Sequence, residues 1–468
     1  MDRLKKVGEV RRFSSSQVKA SRIGIGFEKL DRGVFDPEKA YDPVAELGVK
    51  WVRIQSGWAR TEKAKGVYDF AWLDSIVDNL CRRGLQPWIC LCYGNGLYDA
   101  DAARVFGAVG CPPIKNEEQK KAWHSYVAAL TARYRGKVRW YEVWNEPDGR
   151  WCWKHGPSGT EYGEFVKATA AAVRKGDPSA KVIGGSQCIR DLKWLNEVFS
   201  TGAASVMDAY TYHSYDPDET EGFKIIPALR ALCHAYNPKL QIIQGETGAQ
   251  SRNDGCGAMA KAAWTPLRQA KFLVRHTISD LLEGVMFSSY FSSMDMMEAL
   301  NGTVGNKASY MDFGYFGVLS AEFDENGVAT GGYAPKLSYR SLQSIASVFR
   351  EEFTVSELPI RFWSEESKRI LRRDESGREL LCGGFRKPNG SAAFTWWKPV
   401  ELLTTSFEST VSLQTAALPG EIRLIDLLEG VLYALPEEMI EDDGKGFRRL
   451  ANIPVRDYPL LLAFGEFA

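Results

Sequence analysis

The stretch VRWYEVWNEP, residues 138–147, is an aromatic and β-branched run that ends in an amide, a carboxylate and a proline. Such a run predicts a buried strand, and a strand normally ends in turn residues. This one ends in Asn145-Glu146-Pro147 instead. Glu146 is therefore either a solvated residue at an ordinary strand end or a carboxylate directed at a ligand.

Runs of the same kind recur on both sides of this stretch. Amphipathic segments such as AWLDSIVDNLCRRG separate them, and several of these end in glycine, as helix C-termini often do. The eight runs are RIGIGF (22–27), VKWVRIQ (49–55), LQPWICLCYG (85–94), VRWYEVWN (138–145), KVIGGS (181–186), VMDAYTYHSY (206–215), LQIIQGE (240–246) and GVMFSSYF (284–291). This alternation predicts a parallel sheet with helical crossovers, and eight units favour a (β/α)8 TIM barrel over a doubly wound sheet.

The sequence pattern changes after about residue 350. Segments such as RILRRDESGREL and RKPNGSAAFTWWKP are typical of short strands separated by turns. We therefore predict an α/β chain in which residues 22–350 form the catalytic barrel and residues 351–468 form a C-terminal β-sandwich. Residues 1–21 are predicted to be an N-terminal segment that adds a strand to that sandwich.

Composition excludes several classes of function. Lys plus Arg and Asp plus Glu both total 59, and no basic stripe predicts binding to nucleic acid or to an anionic membrane. The chain lacks both a run of about 18 apolar residues and the apolar core of a secretory signal. The nine cysteines are scattered, as in a reduced protein. We expect a cytoplasmic chain with no nucleic-acid or membrane partner, and leave a homo-oligomer open.

Two strand ends carry the residues that suggest chemistry. Catalytic side chains of (β/α)8 enzymes lie at the C-terminal ends of the strands. Here Glu146 directly follows the fourth run and Glu246 ends the seventh, on opposite sides of an eight-stranded ring. Glycoside hydrolysis requires such a pair, because one acid protonates the leaving oxygen while one carboxylate attacks the anomeric carbon. The sequence therefore predicts a glycosidase with a carbohydrate substrate.

These motifs resemble those of clan A glycoside hydrolases, which are retaining (β/α)8 enzymes. Trp144-Asn145-Glu146-Pro147 is similar to their acid/base motif, and a second glutamate follows on a later strand, as it does here at Glu246. Within the clan, His213-Ser214-Tyr215 resembles the His-x-Tyr of glycoside hydrolase family 39. The C-terminal sandwich fits the same family.

The resemblance implies a role for each matching residue. Glu146 would be the general acid/base and Glu246 the nucleophile. Asn145 would bind the sugar 2-OH, Tyr215 would hold the nucleophile, and His213 would line the same subsite. No metal or organic cofactor is implied, since two carboxylates and water suffice. Family 39 implies a β-xylosidase-like exo-glycosidase first, with β-glucosidase, β-galactosidase, α-L-arabinofuranosidase and uronidase as alternatives.

Further candidates come from the residues around these strand ends. Arg53 is a candidate donor to the nucleophile, and we expect it to be the buried partner of Glu142, which is in phase with Glu146 along its strand. A wider set of aromatic residues is predicted to contact the sugar, although packing explains several of them equally well. This set comprises Trp58, Trp144, Trp151 and Tyr290.

The acid must keep its proton near neutral pH, which requires surroundings that disfavour charge. Trp144, Trp151 and Trp153 are expected to supply that apolar environment. A uronic acid substrate would additionally require a cation in the sugar subsite. The candidates are loop residues, namely Arg252, Lys261 and Lys307.

Two functions of other classes stay open. The barrel could bind carbohydrate without turnover, in which case binding would survive neutralisation of either acid. Alternatively, the sandwich could be the binding module, with Trp396-Trp397 as its sugar platform. The long loops after Glu146, Glu246 and the eighth run predict a walled pocket, which suits removal of a terminal sugar.

Overall fold

The computed structural model describes residue 1 and residues 3–363, 379–416, 418 and 420–468. Within these residues a closed parallel barrel is followed by antiparallel sheets, which confirms the predicted TIM barrel with a β-sandwich. The turn signal Glu375-Ser376-Gly377 lies outside the described residues.

The barrel strands coincide with the apolar runs of the sequence. In chain order they are Ile23–Gly26, Trp51–Gln55, Gln86–Leu91, Trp140–Val143, Lys181–Gln187, Ala209–His213, Gln241–Thr247 and Ser288–Tyr290. Each pairs in parallel with the next, and the eighth pairs with the first, as in Gly24 opposite Ser289. The strands are almost wholly buried because helices cover their outer faces.

A crossover helix follows each barrel strand. These helices are Tyr41–Glu46, Ala71–Arg82, Glu117–Arg133, Gly159–Gly176, Leu192–Ser200, Gly222–Tyr236, Pro266–Leu282 and Leu337–Val348, and Trp58–Thr61 is an additional short helix. Short 3-10 segments are Leu30–Arg32, Ala102–Arg104, Phe106–Ala108, Ala203–Val206, Glu219–Glu221, Lys307–Ser309 and Glu437–Met439.

Local sequence explains where these helices start and which face they bury. Asn116 and Ser158 accept hydrogen bonds from backbone N–H groups in the first turn of their helices, and Thr265 does so ahead of Pro266. The helix Ala71–Arg82 buries Leu73, Ile76, Val77 and Leu80, which is the spacing of one helical face.

The sandwich is built from two antiparallel sheets in the described part of the chain. The larger has the strand order Lys5–Glu9, Val431–Ala434, Ile422–Asp426, Leu460–Phe464, Ala392–Trp397, Leu381–Arg386 and Thr354–Val355. The smaller has the order Ile360–Trp363, Ser409–Ala416, Phe447–Val455 and Ile440–Asp442. Lys5–Glu9 thus pairs with a strand more than 400 residues later.

The helix Pro266–Leu282 joins the barrel to the sandwich through buried charges. Lys271 Nζ lies 2.7 Å from Asp457 Oδ2, and Arg275 Nη2 lies 2.6 Å from Glu219 Oε2. Arg275 also donates to the carbonyl of Val400 at 2.8 Å. The sandwich therefore supports the barrel through specific contacts.

Trp396 and Trp397 are fully buried within this support. The indole N–H of Trp396 donates to the carbonyl of Pro454 at 3.0 Å, and that of Trp397 donates to Glu219 Oε1 at 2.7 Å. The interpretation of these residues as an exposed sugar platform is wrong, because packing between the sandwich and the barrel takes up both rings.

The loop after the eighth barrel strand forms two small sheets of its own. Met296–Met297 pairs with Phe313–Gly314, and Glu322–Phe323 pairs with Ala329–Gly331, all within the connection after the eighth barrel strand. That long loop thus has regular secondary structure of its own. Among the described residues, no helix has both the length and the apolar character that crossing a membrane requires.

Candidate active site

A cavity of about 390 Å³ opens at the C-terminal ends of the barrel strands. Charged and polar groups line its floor, and Trp151, Phe291 and Phe316 form much of its wall. The charged lining residues among those described are Glu28, Lys29, Arg32, Glu146, Glu246 and Glu298. Loops after the fourth, seventh and eighth strands all contribute to it, as the loop lengths predicted.

Glu146 reaches the cavity because the chain turns sharply after the fourth strand. Trp144 has a φ of 69° and Glu146 a φ of 46°, both in the left-handed region that residues with a side chain seldom adopt. Non-glycine residues in this region often mark functional sites. The turn directs the carboxyl group of Glu146 over the barrel mouth.

The carboxyl group of Glu146 is held by hydrogen-bond donors. His213 Nδ1 lies 2.9 Å from Glu146 Oε1, and the indole N–H of Trp151 donates to Oε2. Burial raises the pKa of Glu146, but the hydrogen bonds from His213 and Trp151 outweigh burial and lower it below its ordinary value. The expectation that tryptophans keep this acid protonated is therefore wrong, because Trp151 acts as a donor to the carboxylate.

His213 stands between several carboxyl groups and is fully buried. Its Nδ1 is 2.9 Å from Glu146 and 3.7 Å from Glu246 Oε2, and its Nε2 is 3.9 Å from Glu142 Oε1. Burial lowers the pKa of His213, but Glu246, Glu142 and Glu146 together raise it to about 10. The imidazole therefore shares a proton with Glu146 beneath the cavity.

Glu246 projects from an irregularity in the seventh strand. The register of this strand shifts between Gln244 and Thr247. A Cβ on Gly245 would lie 2.3 Å from Thr211 Oγ1, so glycine allows the close approach of the sixth strand. The Glu246 carboxylate accepts from Arg53 Nη1 at 2.5 Å and from the hydroxyl of Tyr215.

Arg53 is the centre of the charge network under the cavity. Its Nε and Nη2 both donate to Glu142 at 2.8 Å, which confirms the predicted Arg53–Glu142 pair. Nη2 also donates to Asn145 Oδ1 at 2.8 Å, and Nη1 donates to Glu28 Oε1 at 3.0 Å in addition to Glu246. The guanidinium is fully buried, so it positions these groups from below the cavity floor.

Three of the predicted aromatic contacts lie outside the cavity lining given by the described residues. Trp58 is fully buried, stacks on Tyr98 and donates to Glu62 Oε2 at 2.5 Å. Trp144 is also fully buried and donates to the carbonyl of Cys152 at 2.7 Å. The prediction that Trp58 and Trp144 contact the sugar is wrong, since aromatic packing between barrel and helices takes up both rings.

Tyr290 is the third of these residues. It is 2% exposed, and its hydroxyl donates to the carbonyl of Ala249 at 3.3 Å. The next residue, Phe291, lines the cavity in its place. The prediction that Tyr290 contacts the sugar is therefore wrong by one residue. Successive side chains of an extended chain point to opposite faces, so Phe291 faces the cavity and Tyr290 does not.

The loop cations proposed for a uronate also lie outside the cavity lining of the described chain. Arg252 is exposed and pairs with Asp254, Lys261 is exposed, and Lys307 donates to Asn326 Oδ1 at 2.9 Å. That expectation is wrong because Arg252 and Lys307 bind within their own loops, and Lys261 is exposed away from the cavity lining. The cations that do line the cavity are Lys29 and Arg32.

Sequence reasoning missed several residues that line the cavity. Glu28 and Lys29 directly follow the first apolar run, so the strand-end argument applied to that run would have found them. Glu298 comes from the loop after the eighth strand, where nothing in the local sequence marks it.

Three side chains could by distance share a metal ion. The donor atoms of Glu146, His213 and Glu246 all lie within 4.8 Å of one another. The guanidinium of Arg53 already contacts Glu246 and brings positive charge against the same carboxylate. Positive charge there opposes a cation, so these residues fit a pair of reacting carboxyl groups better than a metal site.

Comparison with known proteins finds the same relationship that the motifs suggest. The family model described as glycosyl hydrolases family 39 matches residues 39–235, a segment that ends before Glu246. A beta-xylosidase from Caldicellulosiruptor saccharolyticus is 29% identical over an alignment of 191 residues, which covers 37% of this chain and 38% of that relative. A beta-xylosidase from Geobacillus stearothermophilus is 26% identical over an alignment of 442 residues, which covers 84% of this chain and 85% of that relative.

Solved structures that resemble this fold include enzymes of the same family. A solved family 39 glycoside hydrolase from the gut symbiont Bacteroides cellulosilyticus WH2 aligns with a TM-score of 0.65 at 17% identity, covering 95% of this chain and 80% of that one. This chain is a glycoside hydrolase, and glycoside hydrolase family 39 is the family that it is most like.

Proposed function

We propose that this chain removes a terminal sugar from small oligosaccharides or glycosides with retention of configuration. Glu246 is the nucleophile and Glu146 the general acid/base. The observation that carries this proposal is the pair itself: the two carboxyl groups face one cavity, and one oxygen of each lies within 4.8 Å of the other and of a ring nitrogen of His213. Retaining pairs stand roughly 5–5.5 Å apart and inverting pairs roughly 6.5–9.5 Å apart, so this spacing supports retention.

The reaction proceeds in two displacements. In the first, a Glu246 oxygen attacks the anomeric carbon, the bond from that carbon to the leaving oxygen breaks, and Glu146 gives a proton to the leaving oxygen. In the second, water attacks the same carbon, Glu146 takes a proton from it, and Glu246 leaves as a carboxylate. One water is consumed, and one sugar and one alcohol are released.

The pair of Glu146 and His213 supplies the proton. Because the pKa of His213 is raised to about 10, the pair carries a proton at neutral pH along the 2.9 Å contact between Nδ1 and Oε1. Glycosylation of Glu246 removes a negative charge that raises the pKa of His213. The pair then holds its proton less tightly, which suits its later role as the base for water.

The substrate is proposed to be a neutral sugar, with a β-xyloside first. Lys29 Nζ lies 3.4 Å from Glu298 Oε2, and Arg32 Nε lies 3.3 Å from Asp31 Oδ1, so each cation in the cavity already has an acid partner. Further carboxyl groups in the same cavity would repel a uronate. The two beta-xylosidase relatives support xylose, and β-glucosidase, β-galactosidase and α-L-arabinofuranosidase remain alternatives.

A panel of 4-nitrophenyl glycosides tests the reaction class and the sugar together. We expect one strong hit that Glu246→Ala and Glu146→Ala both lose, whereas the exposed Glu38→Gln keeps it. Azide should restore turnover in both alanine variants, giving an azide product of retained configuration with Glu146→Ala and of inverted configuration with Glu246→Ala. An NMR time course in which the wild type releases the opposite anomer first contradicts retention.

The non-catalytic alternative has its own outcome in this test. If no glycoside is cleaved, but calorimetry detects sugar binding that survives both alanine variants, the barrel is a carbohydrate-binding protein. A cytoplasmic location is also proposed, supported by the nine cysteines, which are all free in the described chain. Cell fractionation tests the location, and light scattering tests whether the chain forms a homo-oligomer.

A further inference from the structure

The first barrel strand brings a third carboxyl group to the two proposed catalytic ones. Glu28 lies two residues after the strand Ile23–Gly26 and lines the same cavity, with 1% of the residue exposed. A Cβ on Gly26 would lie 2.5 Å from Glu28 Oε2, so the glycine leaves the space that this oxygen occupies. The local sequence Gly26-Phe27-Glu28 thus allows the carboxyl group to fold back over the end of the strand.

Glu28 and the nucleophile share one nitrogen of Arg53. Nη1 of that guanidinium donates to Glu28 Oε1 at 3.0 Å and to Glu246 Oε2 at 2.5 Å. Glu28 is therefore fixed in orientation and stands beside the nucleophile at the cavity floor. A sugar that presents its anomeric carbon to Glu246 must bring other ring atoms close to Glu28.

The second oxygen of Glu28 has no hydrogen-bond partner among the described residues. Buried polar atoms are normally paired, because an unpaired one forfeits its interaction with water. This atom is buried and belongs to a residue that lines a substrate-sized cavity. An atom of this kind is expected to find its partner in a ligand.

Resting on the function proposed above, we propose that Glu28 Oε2 binds a hydroxyl group of the terminal sugar other than the 2-OH, and so selects sugars that carry this hydroxyl. The 2-OH is assigned to Asn145, which follows the fourth strand. Its Oδ1 accepts a hydrogen bond from Arg53 Nη2 at 2.8 Å. Glu28 follows the first strand, which lies between the second and the eighth in the barrel. It therefore meets a different part of the ring.

The chemistry of the site favours a hydroxyl over an ion. An anionic group would meet Glu28 and Glu246 together, and a cation would stand against Arg53. Burial raises the pKa of Glu28, Arg53 lowers it and the Glu246 charge raises it again, to about 8. Below that pH the proton sits on Oε2, because Oε1 accepts from Arg53, and Oε2–H can donate to a sugar oxygen.

The test combines variants of Glu28 with deoxy substrates. The wild type, Glu28→Gln and Glu28→Asp are assayed on the best 4-nitrophenyl glycoside and on its 3-deoxy and 4-deoxy analogues, with Glu38→Gln as the matched exposed control. Thermal unfolding and near-UV circular dichroism establish that each variant is folded. Glu28→Asp keeps the carboxyl group but shortens the side chain by one methylene. Comparison with Glu28→Gln therefore distinguishes the effect of a shorter side chain from the effect of losing the acid.

The expected result is a coupled loss. Glu28→Gln and Glu28→Asp should lower kcat/KM on the parent glycoside by roughly 10- to 100-fold, the size expected for a hydrogen bond to an ionisable group. One deoxy analogue should show a similar penalty with the wild type and almost none with Glu28→Gln, since both changes remove one interaction. The control should behave as the wild type.

Two results would overturn the proposal while leaving the glycosidase function intact. One is a folded Glu28→Gln whose kcat/KM equals that of the wild type. The other is a deoxy penalty that is unchanged in both Glu28 variants, which would make the residue purely structural. If the wild type cleaves no glycoside at all, the proposed function itself fails, and that failure is distinct from either result.

Discussion

Two groups of buried charges in this molecule use similar residues for different ends. At the contact between barrel and sandwich, each cation meets its own acid, Lys271 with Asp457 and Arg275 with Glu219. At the barrel mouth, the single guanidinium of Arg53 meets Glu28, Glu142 and Glu246. The first arrangement is balanced and the second has an excess of acid.

This difference in charge balance distinguishes buried charges that stabilise the domain contact from buried charges that serve the proposed active site. Opposite charges that are buried in equal number offset much of each other's desolvation cost, so they can hold two domains in a fixed relation. An excess of acid around Arg53 leaves carboxyl groups whose charge this guanidinium alone does not neutralise. Such groups are costly to the fold, and they become useful only where a cavity admits a ligand.

The largest expected effect is on the acid-rich side. Glu246→Gln keeps the shape of the side chain but removes the proposed nucleophile, and kcat should fall by at least roughly 10³-fold. Thermal unfolding should change little, because an amide oxygen can still accept from Arg53 and Tyr215. A large loss of stability together with modest loss of kcat would mean that Glu246 belongs with the supporting charges.

The matching change on the balanced side should act on stability. Lys271→Met leaves Asp457 buried without its partner, and breaking a buried pair in this way costs about 3–5 kcal/mol. Chemical denaturation should show this loss, while kcat at a temperature where the variant is folded stays close to that of the wild type. The exposed Lys224→Met is the control. Loss of kcat in a folded Lys271→Met would break the comparison.

Arg53→Lys tests how far the mouth depends on geometry as well as on charge. An ammonium group keeps the positive charge but cannot donate in the two-pronged geometry to Glu142 while it also reaches Asn145 and Glu246. We expect kcat/KM to fall by roughly 100-fold, with a measurable decrease in unfolding temperature. Equal kcat/KM for Arg53→Lys and wild type would show that charge alone suffices.

The smallest effect concerns the pH dependence of stability. Glu28 faces Arg53, Glu246 and His213, with Lys29 next to it in the chain, and its pKa is raised to about 8. The folded chain therefore keeps a proton that the unfolded chain releases above about pH 4.5, so this residue lowers stability progressively between pH 4.5 and pH 8. Glu28→Gln removes that dependence.

The unfolding temperature of Glu28→Gln relative to the wild type should accordingly rise by a few degrees from pH 5 to pH 8. Thermal scans in buffers of equal ionic strength measure it, and Glu38→Gln should show no such trend. A difference that stays constant over this range would place the pKa of Glu28 near its ordinary value. It would also remove the support that protonation lends to a donor role for this residue.

Much of the architecture could be predicted from local patterns. Eight apolar runs separated by amphipathic segments specify a parallel barrel, because each helix must bury one face against the strands. Residues at the ends of these runs must lie at one end of the barrel. The sequence therefore predicted that Glu146, Glu246, His213 and Tyr215 lie close together. The pairing of Arg53 with Glu142 followed from strand alternation alone.

Only the tertiary structure decided which side chains reach the cavity and how they are charged. Trp58, Trp144 and Tyr290 stand near strand ends as Trp151 and Phe291 do, yet packing with helices and loops takes them away from the cavity. Whether an aromatic ring lines the cavity or packs in the core depends on neighbouring residues that are distant in sequence. Local sequence periodicity carries no information about those neighbours.

The same holds for the charges of the site. The sequence by itself determined the barrel, the sandwich and the paired strand-end glutamates, because these depend on periodicity and on the position of residues along a strand. The protonation of Glu146 and His213, the burial of Arg53 and the free oxygen of Glu28 were decided by the tertiary structure. Each depends on burial and on charges brought within hydrogen-bond distance from several strands, and desolvation and Coulomb interactions act through space rather than along the chain.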